Sequence, residues 1–121
     1  YVCAIRFNSG DSLYALCDEA NAWGADLFVS IHLNAGGGHG CEVYTWKGKQ
    51  TERALEVGRK LSALGFANRG IKDGSNLYVI RNTTAPAILI ELFFLDNATD
   101  QNLYTKQGYR VIAKAIAEAI G

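Results

Sequence analysis

A chain of 121 residues with 12 Lys and Arg against 12 Asp and Glu has no formal net charge, which removes the electrostatic case for nucleic acid or an anionic membrane as a partner. Hydrophobic residues at 49% and charged residues at 20% fit one globular domain long enough to bury a core. No apolar run reaches the roughly 18 to 20 residues of a membrane span.

The chain opens on Tyr1-Val2-Cys3-Ala4-Ile5-Arg6, with neither an initiator Met nor a signal peptide, and reads as a strand already under way. Asn8-Ser9-Gly10-Asp11 is a turn rich in N-cap residues. Leu13, Leu16, Cys17 and Ala20 then recur at helical spacing, predicting a helix to about Trp23 that Gly24 closes. The run Asp26 to His32 reads as a buried strand, and Gly36 to Gly40 as a flexible loop. Cys41 to Trp46 alternates like a second strand, followed by a turn at Lys47-Gly48-Lys49. Thr51 can cap a helix to about Leu64 with Ala54, Val57, Leu61 and Leu64 on its buried face and Gly65 at C′.

Asn68 to Asn76 reads as a loop and Leu77 to Arg81 as a short strand. Pro86, the sole proline, precedes the apolar strand Ala87 to Glu91, where a missing N–H is tolerated. Asp96 to Asp100 is a turn that opens a short helix. A final helix over about Lys106 to Ile120 buries Ile112, Ala115, Ile116 and Ala119. Strands alternating with helices predict one α/β domain with a mainly parallel twisted sheet flanked by helices.

The three cysteines, Cys3, Cys17 and Cys41, lack the close spacing of a zinc knuckle or a redox motif and read as buried free thiols. One disulfide with a leftover thiol stays open. The triplets beginning at Asn82 and Asn97 match the glycosylation pattern, which arises readily by chance.

Two strands end on ionisable residues, His32 and Glu91, and open α/β sheets bind ligands beyond such ends. His32 is flanked at period two by Ser30 and Asn34, with glycines after it that leave room for a ligand. It reads as a structural residue or as a metal ligand whose tautomer a polar neighbour fixes. Glu91 lies between four apolar residues on either side. It is either paired with an Arg such as Arg81 or Arg53, or a general base beside a metal-activated water. Glu42 and Tyr44 are candidates to line the cleft, Glu42 equally an edge charge. The glycine loop lacks the Lys-Ser/Thr ending of a phosphate cradle, and His39 within it reads as solvated.

These segments resemble one family. Phe28-Val29-Ser30-Ile31-His32-Leu33-Asn34-Ala35 is similar to the Ser-Ile-His-x-Asn signature of the zinc-dependent N-acetylmuramoyl-L-alanine amidases of type 3. Gly40-x-Glu42-Val43-Tyr44 resembles the strand that follows it. Arg69-Gly70-Ile71-Lys72 through Arg81, and Pro86 through Asn97, resemble later segments in the same order, as do Ala20-Asn21 and Gly24-Ala25-Asp26 upstream.

The resemblance implies cleavage of the amide between N-acetylmuramic acid and L-alanine of peptidoglycan, with one zinc held by two histidines and a glutamate. It implies that His32 is the second zinc histidine and Glu91 the catalytic glutamate, with Asn34, Glu42 and Arg81 as candidates for substrate contact. The family's first histidine turn, Asp-x-Gly-His-Gly-Gly, and its glutamate ligand have no counterpart here. Residues 1–121 are therefore expected to be the C-terminal two-thirds of a catalytic domain, lacking the first strand and helix, with two further ligands upstream of residue 1. Such a piece is expected to be inactive and poorly stable alone.

Leu92-Phe93 also departs from the family's usual Gly-Phe. The partner expected is peptidoglycan, with no nucleic acid and no membrane span, acting as a monomer in the cell wall, as a secreted enzyme or as a phage lysin. The alternatives are a wall-binding or regulatory domain with a degenerate metal site, and an α/β interaction domain whose His32 and Glu91 pair structurally.

Overall fold

The computed structural model describes residues 4–8 and 10–121. Helix α1 (Leu13–Trp23) starts where the Ser12 hydroxyl accepts the Ala15 N–H at 3.2 Å, and ends at Gly24 in the left-handed conformation, φ 74°. Strands β1 (Phe28–Asn34) and β2 (Cys41–Thr45) follow, joined by the glycine loop. A one-turn 3-10 segment, Trp46–Gly48, leads to α2 (Glu52–Ala63), which Thr51 caps as its sequence position suggests. Then come β3 (Asn68–Asp73), the single-turn α3 (Tyr78–Arg81), β4 (Ala87–Phe94), α4 (Ala98–Gln107) and α5 (Tyr109–Ile120).

The four strands form one sheet in the order β1-β4-β2-β3. β1 runs parallel to β4 and β2 parallel to β3, while β2 and β4 are antiparallel. The sheet is thus mainly parallel, with α2, α4 and α5 on one face and α1 and α3 on the other. Under the first group lies the main core, where Val43, Val57, Leu61, Ile90 and Phe93 meet Ile112 and Ile116. Beneath the second lies a smaller cluster of Cys17, Val79, Ile80 and Leu89. β4 is central, which explains its nearly continuous apolar sequence.

Several local expectations are corrected. β1 runs past His32 to Asn34 and β4 past Glu91 to Phe94, so neither residue ends its strand, and β1, at the sheet edge, is half-buried to exposed and not buried. Asn68–Asp73 is a strand, not a loop: it is an edge strand with only Gly70 and Ile71 half-buried, so it never needed apolar alternation. Tyr78–Arg81 is a helical turn, not a strand, burying Val79 and Ile80. The final helix starts at Tyr109 and not near Lys106, which belongs to the preceding short helix; Gly108, whose φ of 84° no helix accommodates, separates the two. Residues 4–8 form no strand; Ile5 and Phe7 are exposed and no ladder partner lies beside them among the described residues. The first three residues of that expected strand, Cys3 included, lie outside the described residues.

Cys17 and Cys41 are buried free thiols, and burial pushes Cys41 up to about 11, far from reactivity. No helix among the described residues is long and apolar enough to cross a membrane.

Candidate active site

Register places the chemistry. In the parallel β1–β4 pair His32 stands beside Glu91, and in the antiparallel β2–β4 pair Glu42 stands opposite Glu91. Directly paired residues share a sheet face. Three strands therefore put His32, Glu91 and Glu42 in one row, and Arg69 of β3 extends it through an ion pair to Glu42, Nε to Oε2 2.9 Å.

The imidazole of His32 is exposed, and its Nε2 lies 2.8 Å from the Ser30 hydroxyl. Period two along β1 brings Ser30 to the same face, and its contact leaves Nδ1 as the uncommitted nitrogen. Metal-binding histidines commonly have their second nitrogen held in this way.

Glu91 is half-buried, and its Oε2 is fully buried with no hydrogen-bond partner among the described residues. Burial raises its pKa above the ordinary carboxyl value; the Glu42 charge adds to the rise and His32 opposes it. Among the described residues no Arg partners it: Arg53 donates instead to the Ile120 carbonyl at 3.1 Å. Arg81 lies exposed at the end of α3, in none of the ion pairs of the described residues.

Glu42 has the opposite surroundings. It is only 5% exposed, yet three donors reach its carboxylate, Asn34 Nδ2 and the Tyr44 hydroxyl on Oε1 and Arg69 on Oε2, each at 2.9 Å. Burial alone would raise its pKa, but these hydrogen bonds and the Arg69 charge outweigh it and hold the carboxyl below its ordinary value. Asn34 is fully used as well, its Oδ1 accepting the Ala35 N–H at 2.9 Å. The sequence pointed to Glu42, Tyr44 and Asn34 one by one. Arg69 was missed as a site residue, because a contact across 27 positions leaves no trace in local spacing.

The glycine loop is anchored rather than flexible. Asp96 Oδ2 accepts the N–H groups of Gly36 and Gly37, each at 3.0 Å. Buried Asp100 Oδ2 accepts those of Gly40 at 2.8 Å and Phe94 at 2.9 Å. Gly40, at φ 97°, passes so close to Ala67 that a Cβ would strike its backbone carbonyl. The N–H groups of Gly36, Gly37 and Gly40 are thus committed to carboxylates, not to a phosphate, and His39 is exposed.

A cleft of about 330 Å³ opens on this face, with His32, Glu91 and Tyr44 on its polar side and Leu13, Leu77 and Tyr78 on its apolar side. A hydrolytic zinc site takes three protein ligands. Among the described residues no three His, Cys, Asp or Glu side chains gather to hold a metal. His32 with its free nitrogen, next to an unpartnered carboxylate oxygen, suits the edge of such a site but does not complete one.

The sequence profile of a family described as N-acetylmuramoyl-L-alanine amidase matches residues 2–121. The chain belongs to this family. It is 43% identical over 93 residues to the N-acetylmuramoyl-L-alanine amidase CwlM of Bacillus licheniformis, covering 74% of this chain and 36% of that protein. It is 35% identical over 127 residues to a sporulation-specific N-acetylmuramoyl-L-alanine amidase of Bacillus subtilis, covering 98% and 49%.

Among solved structures the catalytic domain of the CD27L endolysin, which targets Clostridia difficile, superposes with a TM-score of 0.82 at 36% identity, covering 89% of this chain and 61% of that one. The chain thus spans half or less of the length of these two curated relatives. Amidases of this family act on peptidoglycan and generally depend on zinc, and the mainly parallel α/β fold of this chain matches their solved structures.

Proposed function

We propose that the protein containing this chain hydrolyses the amide between N-acetylmuramic acid and L-alanine in peptidoglycan. Glu91 is its acid–base group and His32 is one ligand of a zinc ion. The observation that supports this most is the pairing of His32 with Glu91 across β1 and β4, with the Glu91 Oε2 buried and unpartnered. A carboxylate in that condition is costly to maintain and is characteristic of sites where a proton is handled. A wall-binding domain without chemistry has no use for it.

The remaining zinc ligands, in this reading, come from parts of the protein outside these residues. Zinc, when bound, polarises a carbonyl and acidifies water. Glu91 accepts the proton released by the attacking water at its carboxylate and returns it to the leaving amine nitrogen of L-alanine, so that carboxylate is regenerated as the C–N bond breaks. Burial raises its pKa above the ordinary carboxyl value, the direction that helps a carboxylate accept a proton.

Ser30 holds the His32 ring, and Asp96 and Asp100 anchor the loop between β1 and β2 through its backbone N–H groups. Glu42, fully bound by protein donors, orders the residues around it instead of meeting substrate. Action on the wall places the protein outside the cytoplasm or among phage lysins, in keeping with relatives named as a sporulation amidase and an endolysin.

The test is product analysis with the complete protein and purified peptidoglycan. The proposal expects new N-terminal alanine and no new reducing sugar. Reducing ends without free alanine would instead mean cleavage of the glycan.

A further inference from the structure

Beyond the catalytic pair, the row of residues on the open sheet face ends in a cation that the chemistry above does not use. Arg69 commits only its Nε, to Glu42, and its guanidinium carbon lies 5.0 Å from the centre of the Phe94 ring. Its side chain is 38% exposed, and its two terminal nitrogens have no partner among the described residues. An Arg held along one edge by a carboxylate and on one face by an aromatic ring keeps its fork in a fixed plane. It therefore loses little further side-chain entropy when a second planar anion docks.

Lys72 adds to this. It stands beside Tyr44 in the β2–β3 register, hence on the same face as Glu42, and forms no ion pair among the described residues. Glu42 neutralises one of the two cations, which leaves this end of the row positive.

We infer that Arg69 is a substrate-binding residue whose free guanidinium nitrogens take a carboxylate on the peptide arm of the substrate. The inference rests on the hydrolytic reading of Glu91 and adds where the peptide arm runs. β3 lies two strands from β4. At about 4.8 Å per strand that is roughly 10 Å, the reach of about three extended residues. The peptide arm leaves the Glu91 end of the row, crosses β2 above Glu42, and brings an acidic group within its first three residues to Arg69. No Lys or Arg is among the described residues that line the cleft itself.

The experiment uses the complete protein and two synthetic N-acetylmuramoyl-peptides, identical except that one acidic group within the first three residues is a free carboxylate or a carboxamide. The wild type is expected to show a KM at least about 10-fold lower for the carboxylate form, the scale of a charge-assisted bidentate contact. Arg69→Gln is expected to raise KM for the carboxylate form by about 10- to 100-fold more than KM for the carboxamide form, with any change in kcat shared by the two substrates. Arg69→Lys, which keeps a cation beside Glu42 and so guards against misfolding, is expected to fall between.

Equal KM values for the two substrates in the wild type overturn the inference. So does a variant that slows both substrates alike, which would make Arg69 only the counter-ion of Glu42. If the wild type cleaves neither substrate, the hydrolytic reading itself fails and takes this inference with it.

Discussion

Glu42 and Glu91 face one another directly across β2 and β4, and only one of the two carboxylates is neutralised. Glu42 receives Arg69, Tyr44 and Asn34, while the inner oxygen of Glu91 receives nothing. Like charges directly opposite on a sheet repel, so the fold pushes their protonation behaviour apart. That division is the pattern expected when one carboxylate is structural and the other handles protons.

The buried Glu42 cluster makes a prediction about stability and pH. The Glu42 pKa is lower in the folded than in the unfolded chain. Its contribution is therefore complete above the unfolded value of about 4.3 and is lost as pH falls through the lower folded value. Glu42→Gln is expected to destabilise the protein by about 1.5–3 kcal/mol at pH 7, with the gap to wild type closing below about pH 4. Urea unfolding at several pH values reads this directly. A gap that is independent of pH would show that the charge of Glu42 is not what its three donors recognise.

Ser30 is expected to matter for metal and not for folding. It is half-buried on β1 and touches His32 Nε2 at 2.8 Å. Ser30→Ala is expected to weaken zinc binding to the complete protein by about 10-fold or more while moving stability by less than about 1 kcal/mol. Competition with a chelating dye measures the first, thermal unfolding of the metal-free protein the second.

Asp100 supports the loop from below. Its single oxygen Oδ2 accepts two backbone N–H groups, from Gly40 and Phe94, inside the core. Asp100→Ala strands both and is expected to cost about 2–4 kcal/mol. Asp96→Ala, at an exposed site, is expected to cost under about 1 kcal/mol, yet to speed amide exchange at Gly36 and Gly37. Hydrogen exchange on the two variants separates the anchors.

The 121 residues by themselves expose Ile31 and Leu33 on β1, whose outer edge has no partner among the described residues. Such edges recruit further strands. This chain alone is expected to self-associate with rising concentration, and Leu33→Lys to reduce that association. Sedimentation of the two forms is the check.

The sequence exposed the row of His32, Glu91 and Glu42 unevenly, for physical reasons. His32 and Glu91 were legible because each sets an ionisable side chain into a short apolar run, which needs explaining. Neither residue ends its strand, since β1 continues past His32 to Asn34 and β4 past Glu91 to Phe94. Helices α1 and α2 were legible from their apolar spacing and their Ser12 and Thr51 caps. β3 was not, because Asn68-Arg69-Gly70-Ile71-Lys72-Asp73 lies at a sheet edge with only Gly70 and Ile71 half-buried and so carries no apolar alternation. Leu77 to Arg81 misled because four or five apolar residues fit a strand or a buried turn equally. The ion pair of Glu42 with Arg69, and the hold of Asp96 and Asp100 on the glycine loop, are products of tertiary folding that no local pattern records.

The central claim is that Glu91 handles protons and His32 holds metal, as two separable halves of one site. Hydrolysis of muramoyl-peptide and zinc content, measured together on Glu91→Gln and His32→Ala of the complete protein, test it most directly. The account predicts that Glu91→Gln loses at least about 10²-fold in turnover with zinc retained, and that His32→Ala loses the zinc together with the activity. Turnover near wild type in Glu91→Gln, or full zinc content in His32→Ala, would contradict it.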